Sequence, residues 1–176
     1  MLPTRVVRGR KNPLHLGFAD RLCRARKDAE LSHAALARAA GLASRTTTAI
    51  LENGDSVPRI DTVARLAAAL SLSPSYLAFG LGPLSQGDQA GQPAGLPDRL
   101  LAARQLRGLS RLQLGQQSGT SHTLVRMTET GTTIPNLAKL EALAKALAVS
   151  PAWLAFGLDP MEPARRSRTE VSSAAS

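Results

Sequence analysis

The chain has few aromatic residues: its 176 residues hold three Phe, one Tyr and one Trp. It also lacks alternating runs of β-branched and aromatic residues, so no sheet is expected. The single cysteine, Cys23, excludes a disulfide framework within the chain and fits a reducing cytosol. No apolar run reaches the length of a membrane span and no signal peptide opens the chain, so a membrane partner is not expected. His15, His33 and His122 lie far apart, show no metal-ligand spacing and have no cysteine partners at the required intervals. There is no Gly-rich phosphate loop and no nucleophile with a plausible base. An enzyme is therefore not expected, nor is a metal or a cofactor. Acidic residues are scarce beside basic ones, 13 against 22, and the net charge of +9 points to an anionic partner. Ala, Leu and Arg dominate instead, and these favour helix, so the fold class is all-α.

The most informative stretch is 31–54, LSHAALARAAGLASRTTTAILENG. Leu31, Ala35, Leu36 and Ala39 recur at helical spacing, with Ser32 placed to cap that helix and Gly41 to stop it. Ser44 then stands where the cap of a second helix belongs, and that helix runs through Ile50, Leu51 and Glu52 to Gly54. Two helices joined by so short a turn make a helix-turn-helix, whose second helix fits the DNA major groove.

The whole pattern occurs twice. RLCRARKDAELS becomes RLLAARQLRGLS, SHAALARAAG becomes SRLQLGQQSG, and SPSYLAFG becomes SPAWLAFG. The offset is 78 residues up to Gly41 and Gly119 and 77 from Ser44 and Ser121 onward, so the first copy carries one extra residue, most simply Ala43. Cys23 corresponds to Leu101 and reads as a small, partly buried hydrophobe. Around the two units, 18–83 and 98–160, the sequence divides into a basic arm at 1–17, a Gly-, Gln- and Pro-rich flexible linker at 84–97 and a small polar tail at 161–176. In the first unit Phe18, Leu22, Ala25 and Ala29 form one helical face and Ile60, Val63, Leu66, Ala67 and Leu70 another. Ser73 and Pro74 then open a last helix that Gly80 ends.

The order Leu-Ser, Leu36-Ala37, Ala40-Gly41, Glu52-Asn53-Gly54, Pro58 resembles the phage-repressor (Cro-like, XRE) helix-turn-helix family, in two tandem copies. The resemblance implies five helices per unit, a third helix that reads bases, and a pairing between an Arg of helix one and the Glu closing helix three. Arg26 with Glu52 and Arg104 with Glu129 hold those positions. It further implies a cytoplasmic, nucleoid-associated transcriptional regulator, a repressor rather than an activator, whose partner is double-stranded DNA.

Base-reading positions carried over in this way are Arg45, Thr46, Thr47, Ala49 and Ile50 in the first copy and His122, Thr123, Leu124, Arg126 and Met127 in the second. Arg can pair with guanine O6 and N7, while Thr, Leu and Ile can meet thymine methyls. Phosphate contacts are expected from Ser32, His33, Ser44, Asn53 and Arg59, and from Ser110, Arg111 and Ser121. Thr130 and Asn136 replace Asn53 and Arg59 in the second copy and should grip more weakly. Thr48 and Thr128 stand at positions of helix three that should face the core. Tyr76, Phe79, Trp153 and Phe156 offer a sticky surface for a homodimer, and the competing reading of the chain is a protein-interaction module binding a protein partner.

Overall fold

The computed structural model describes residues 13–82 and 95–158, and their regular structure is helical. A one-turn 3-10 helix, Leu14–Gly17, precedes α1 (Phe18–Asp28), α2 (His33–Ala39), α3 (Thr47–Glu52), α4 (Ile60–Ala69) and α5 (Pro74–Phe79). The same five follow as α6 (Leu96–Leu106), α7 (Arg111–Ser118), α8 (His122–Glu129), α9 (Leu137–Leu147) and α10 (Pro151–Phe156). The all-α, two-unit expectation holds. Residues 1–12 of the basic arm, 84–94 of the linker and all of the tail lie outside the described residues. Two stretches read as irregular contain helix: 14–17, inside the arm, and Leu96 and Pro97, inside the linker.

The helices begin and end for local reasons. Ser32 Oγ accepts from Ala35 N. Ser110 Oγ accepts from Gln113 N while Gln113 Oε1 accepts from Ser110 N, a reciprocal capping box. Pro74 and Pro151 open α5 and α10, whose chains leave through left-handed Gly80 and Gly157, at φ 68° and 71°. The last carbonyls of these two helices are held from α1 and α6. Arg21 donates to Leu77 O (2.9 Å) and Ala78 O (2.7 Å), and Arg99 donates to Leu154 O (3.0 Å) and Ala155 O (2.9 Å). Both side chains are half-buried, and burial lowers the pKa of both guanidinium groups, whose hydrogen bonds are spent on capping these carbonyls.

Two predicted apolar faces need correcting. Ala39 is exposed, and Leu36, Ala37 and Ala40 face the core instead. Leu36 fixes the orientation of α2, which brings the next residue and the one a turn later inward. Ala29 lies past the end of α1 and is also exposed. Ser73 occupies the cap position of α5, but its side chain makes no capping bond.

The two units share one continuous core. Leu22, Leu36, Ile60, Leu66 and Leu77 of the first join Leu100, Leu114, Leu137, Leu140 and Leu147 of the second, all fully buried. α5 packs directly on α10. Beside them Leu137 N donates to Pro58 O (3.0 Å) and Ile60 N to Pro135 O (3.3 Å), flanking an antiparallel bridge between Arg59 and Asn136. A shift of 77 residues turns each of these bonds into the other. The contact is therefore isologous, and a pseudo-two-fold axis relates the units.

This arrangement corrects the homodimer reading. Phe79 and Phe156 are buried, Tyr76 and Trp153 are half-buried, and the helices carrying them meet inside one chain. A tethered copy is present at far higher effective concentration than a second chain, so the surface is satisfied internally.

Candidate nucleic-acid interface

Each unit ties its first helix to the end of its third through a bidentate ion pair. Arg26 Nε and Nη2 lie 2.6 and 2.9 Å from the Glu52 oxygens, and Arg104 Nε and Nη2 lie 2.5 and 3.2 Å from those of Glu129. The remaining Nη1 donates to Leu31 O or Leu109 O, at 2.8 Å in both units, which also fixes the turn into the next helix. Burial alone would raise both carboxyl pKa values. Hydrogen bonds from Arg26, Cys23 and His33 to Glu52, and from Arg104 and Arg111 to Glu129, outweigh it and hold both below the ordinary range.

His33 and Arg111, read as phosphate contacts, turn out to be second partners of these carboxylates. His33 Nε2 is 3.2 Å from Glu52 Oε2 and Arg111 Nε is 2.7 Å from Glu129 Oε2, yet their side chains remain 43% and 45% exposed. A half-exposed polar side chain held in one geometry is pre-oriented for an anion outside, at a smaller entropic cost than a loose one.

The two helix-turn-helix turns differ. Only residues 119–121 separate α7 from α8, whereas 40–46 separate α2 from α3. Ser121 caps α8, its Oγ accepting from Leu124 N, and all eight residues from His122 to Glu129 are helical. In the first unit Ser44 does not cap the helix. Its Oγ accepts from Thr46 N (3.2 Å), Thr46 becomes the cap residue, and α3 begins only at Thr47. The extra residue in the turn moves Ser44 out of reach of the N–H groups it was expected to satisfy. Arg45 and Thr46 therefore stand on the turn and not on the helix.

Gly115 shows why the second turn can be short. A Cβ there would come 3.0 Å from both His122 N and Thr120 O, while the first unit has Ala37 at this position. The sequence signal was a glycine inside a helix, a place where it otherwise costs stability.

Arg45, Thr46 and Ile50 are exposed in the first unit, with Thr47 and Ala49 half-buried. His122, Thr123 and Arg126 are exposed in the second, with Leu124 and Met127 half-buried. Arg45 and Arg126 make no side-chain hydrogen bond or ion pair among the described residues. Ser32, Ser110 and Ser121 spend their hydroxyls on caps, and Asn53 is exposed just past α3. Arg59 is exposed beside Asp61 at 3.4 Å, while its backbone belongs to the contact between units. Asn136 caps α9 by accepting from Lys139 N, and Thr130 Oγ1 donates to Met127 O.

Residues 17–78 match the family described as a helix-turn-helix domain, and 100–154 match a second helix-turn-helix family. The chain carries two tandem XRE-type helix-turn-helix domains. No curated protein matches it. XRE-type domains are DNA-binding regulatory domains and are not enzyme families, which places the chain in DNA-binding transcription regulation. No helix among the described residues is long and apolar enough to cross a membrane.

Proposed function

We propose that one chain acts as a ready-made dimer: a sequence-specific transcriptional repressor whose two XRE domains read adjacent major grooves. The observation that carries this reading is the isologous contact through α5, α10 and the Pro58 and Pro135 carbonyls. Single-domain repressors meet the two-fold symmetry of duplex DNA by pairing two chains, with half-sites about 34 Å apart. Here the pairing is internal, so the units keep one relation on and off DNA. Arg45 and Thr46 from the first turn, and His122, Thr123 and Arg126 from α8, are the base readers. His33, Arg111 and the basic arm supply phosphate contacts. Occupying a promoter is enough for repression and needs no further catalytic or ligand-binding part.

Because the two reading surfaces differ in residues and in backbone, the operator should be asymmetric, with roughly two major-groove half-sites in about twenty base pairs. Selection from a random duplex pool, followed by a salt titration, tests this. If about six to ten phosphates are neutralised, log affinity should fall with log salt at a slope of roughly −5 to −9. No enriched sequence together with a slope near zero would overturn the reading. That outcome would favour a protein partner, for which Leu106 (74% exposed) and Leu112 (57% exposed) give the second unit apolar surface where the first has Asp28 and Ala34.

A further inference from the structure

One contact between the units has no symmetric mate among the described residues. The Glu141 carboxylate on α9 accepts three hydrogen bonds from the one-turn helix ahead of α1: from Leu14 N (2.7 Å), His15 N (3.1 Å) and His15 Nδ1 (2.7 Å). A carboxylate only accepts, so Nδ1 carries the proton. Arg21 holds the same turn from behind, donating to Leu14 O at 3.1 Å. In the first unit the position of Glu141 is occupied by Ala64, which cannot make such a contact.

That asymmetry has a mechanical meaning. The Arg59–Asn136 bridge and the α5–α10 packing map onto themselves under the pseudo-two-fold, so they lie along its axis. A contact that maps onto a different pair of residues lies off the axis. Contacts along an axis resist rotation about it poorly, whereas a tie displaced from it acts with leverage. A cleft of about 530 Å³ opens beside the clasp, between Pro13 and α9, so on this side the Glu141 bonds are the polar tie between the segment and the second unit.

We infer that Glu141 is a specificity-determining residue that fixes the angle between α3 and α8 and thereby the half-site spacing the protein accepts. This rests on the proposed reading of two half-sites by one chain. Glu141→Ala is compatible with the fold, because alanine occupies the equivalent place on α4 and favours helix. His15→Ala removes one of the three bonds and should give a weaker form of the same change.

Two measurements on the full chain test the inference. In the first, labels at Arg38→Cys and Gln116→Cys, equivalent exposed positions, in a Cys23→Ala background report the distance between units without DNA. The parent should give one narrow distribution and Glu141→Ala a broader or displaced one. In the second, operators with the half-sites moved by one base pair should cost the parent about tenfold in affinity and Glu141→Ala under about threefold. Coincident distance distributions, or an unchanged spacing penalty in a Glu141→Ala protein that still binds the selected operator, would overturn the inference. Absence of any operator for the parent would overturn the underlying reading instead, while the distance measurement still decides the role of Glu141.

Discussion

The two units share the same helices, the same buried Arg–Glu pair and the same capped last helix, yet they reach helix three differently. In the second, Gly115 lets α7 approach the turn closely, Ser121 caps, and α8 runs for eight residues. In the first, Ala37 replaces the glycine, the turn gains a residue, Ser44 loses its capping role and α3 shortens to six residues. One methyl group and one inserted residue thus change which residues stand on the helix. A duplicated domain can diverge at its reading surface while the frame behind it stays fixed.

The strongest test of the shared frame is to remove its carboxylates. Glu52→Ala and Glu129→Ala each strand a buried Arg, and each should cost about 3–5 kcal/mol in denaturant or thermal melts. Because the core is continuous, each variant should melt in one transition, not as one unit before the other. Both carboxyls have folded-state pKa values below the ordinary 4.5. Their stabilisation is therefore present above that value and is lost as pH falls through the folded one, so parent and variants should converge on acidification. A destabilisation that persists unchanged in acid would assign it to packing instead of to the ion pair.

A second test separates the two reading surfaces. Arg45→Ala should relax base preference in one half-site and Arg126→Ala in the other, each at about 1–3 kcal/mol. Binding measured on singly substituted operators would contradict the division if both variants altered the same bases.

The turns themselves come next. Gly115→Ala gains helix propensity but presses on backbone at 3.0 Å, and a net loss of about 1 kcal/mol is expected. Deleting Ala43 should be tolerated better with Ala37→Gly than alone, since the shorter turn brings the backbone onto that side chain. Equal stabilities for the two deletion variants would disconnect the methyl group from the turn length.

The smallest effect involves two buried threonines at non-equivalent positions of helix three. Thr48 Oγ1 donates to His33 O at 3.0 Å, whereas Thr128 Oγ1 is buried with no partner. Thr128→Val should therefore stabilise by about 1 kcal/mol and Thr48→Val destabilise by a similar amount. Melts that move in the same direction for both would show that the hydroxyl environments do not decide stability.

Much of this frame was legible in the chain because its causes are local. Ser32, Ser110 and Ser121 precede helices they cap, Pro74 and Gly80 bracket α5, and Arg26 and Glu52 sit at the ends of helices that must meet. What escaped the sequence depends on pairs far apart. Nothing local to SPSYLAFG says whether its surface meets a second chain or SPAWLAFG of its own. His15 lies in a stretch that reads as a basic arm, and its partner Glu141 is one charge on an amphipathic helix. Ser44 misled because its chemistry suits a cap while the inserted residue removes the geometry. The residues expected at the bases and phosphates were legible only as positions in a motif. Their exposure follows from the turns, and those are set by Ala37, Ala43 and Gly115.

The central claim, that one chain is the complete DNA-reading unit, is tested most directly by the mass of its complex with the selected operator. Native mass spectrometry or light scattering should give one chain per duplex, on a site whose halves differ in sequence. Two chains on a perfect palindrome would contradict the claim and return the second XRE domain to the role of a partner-binding unit.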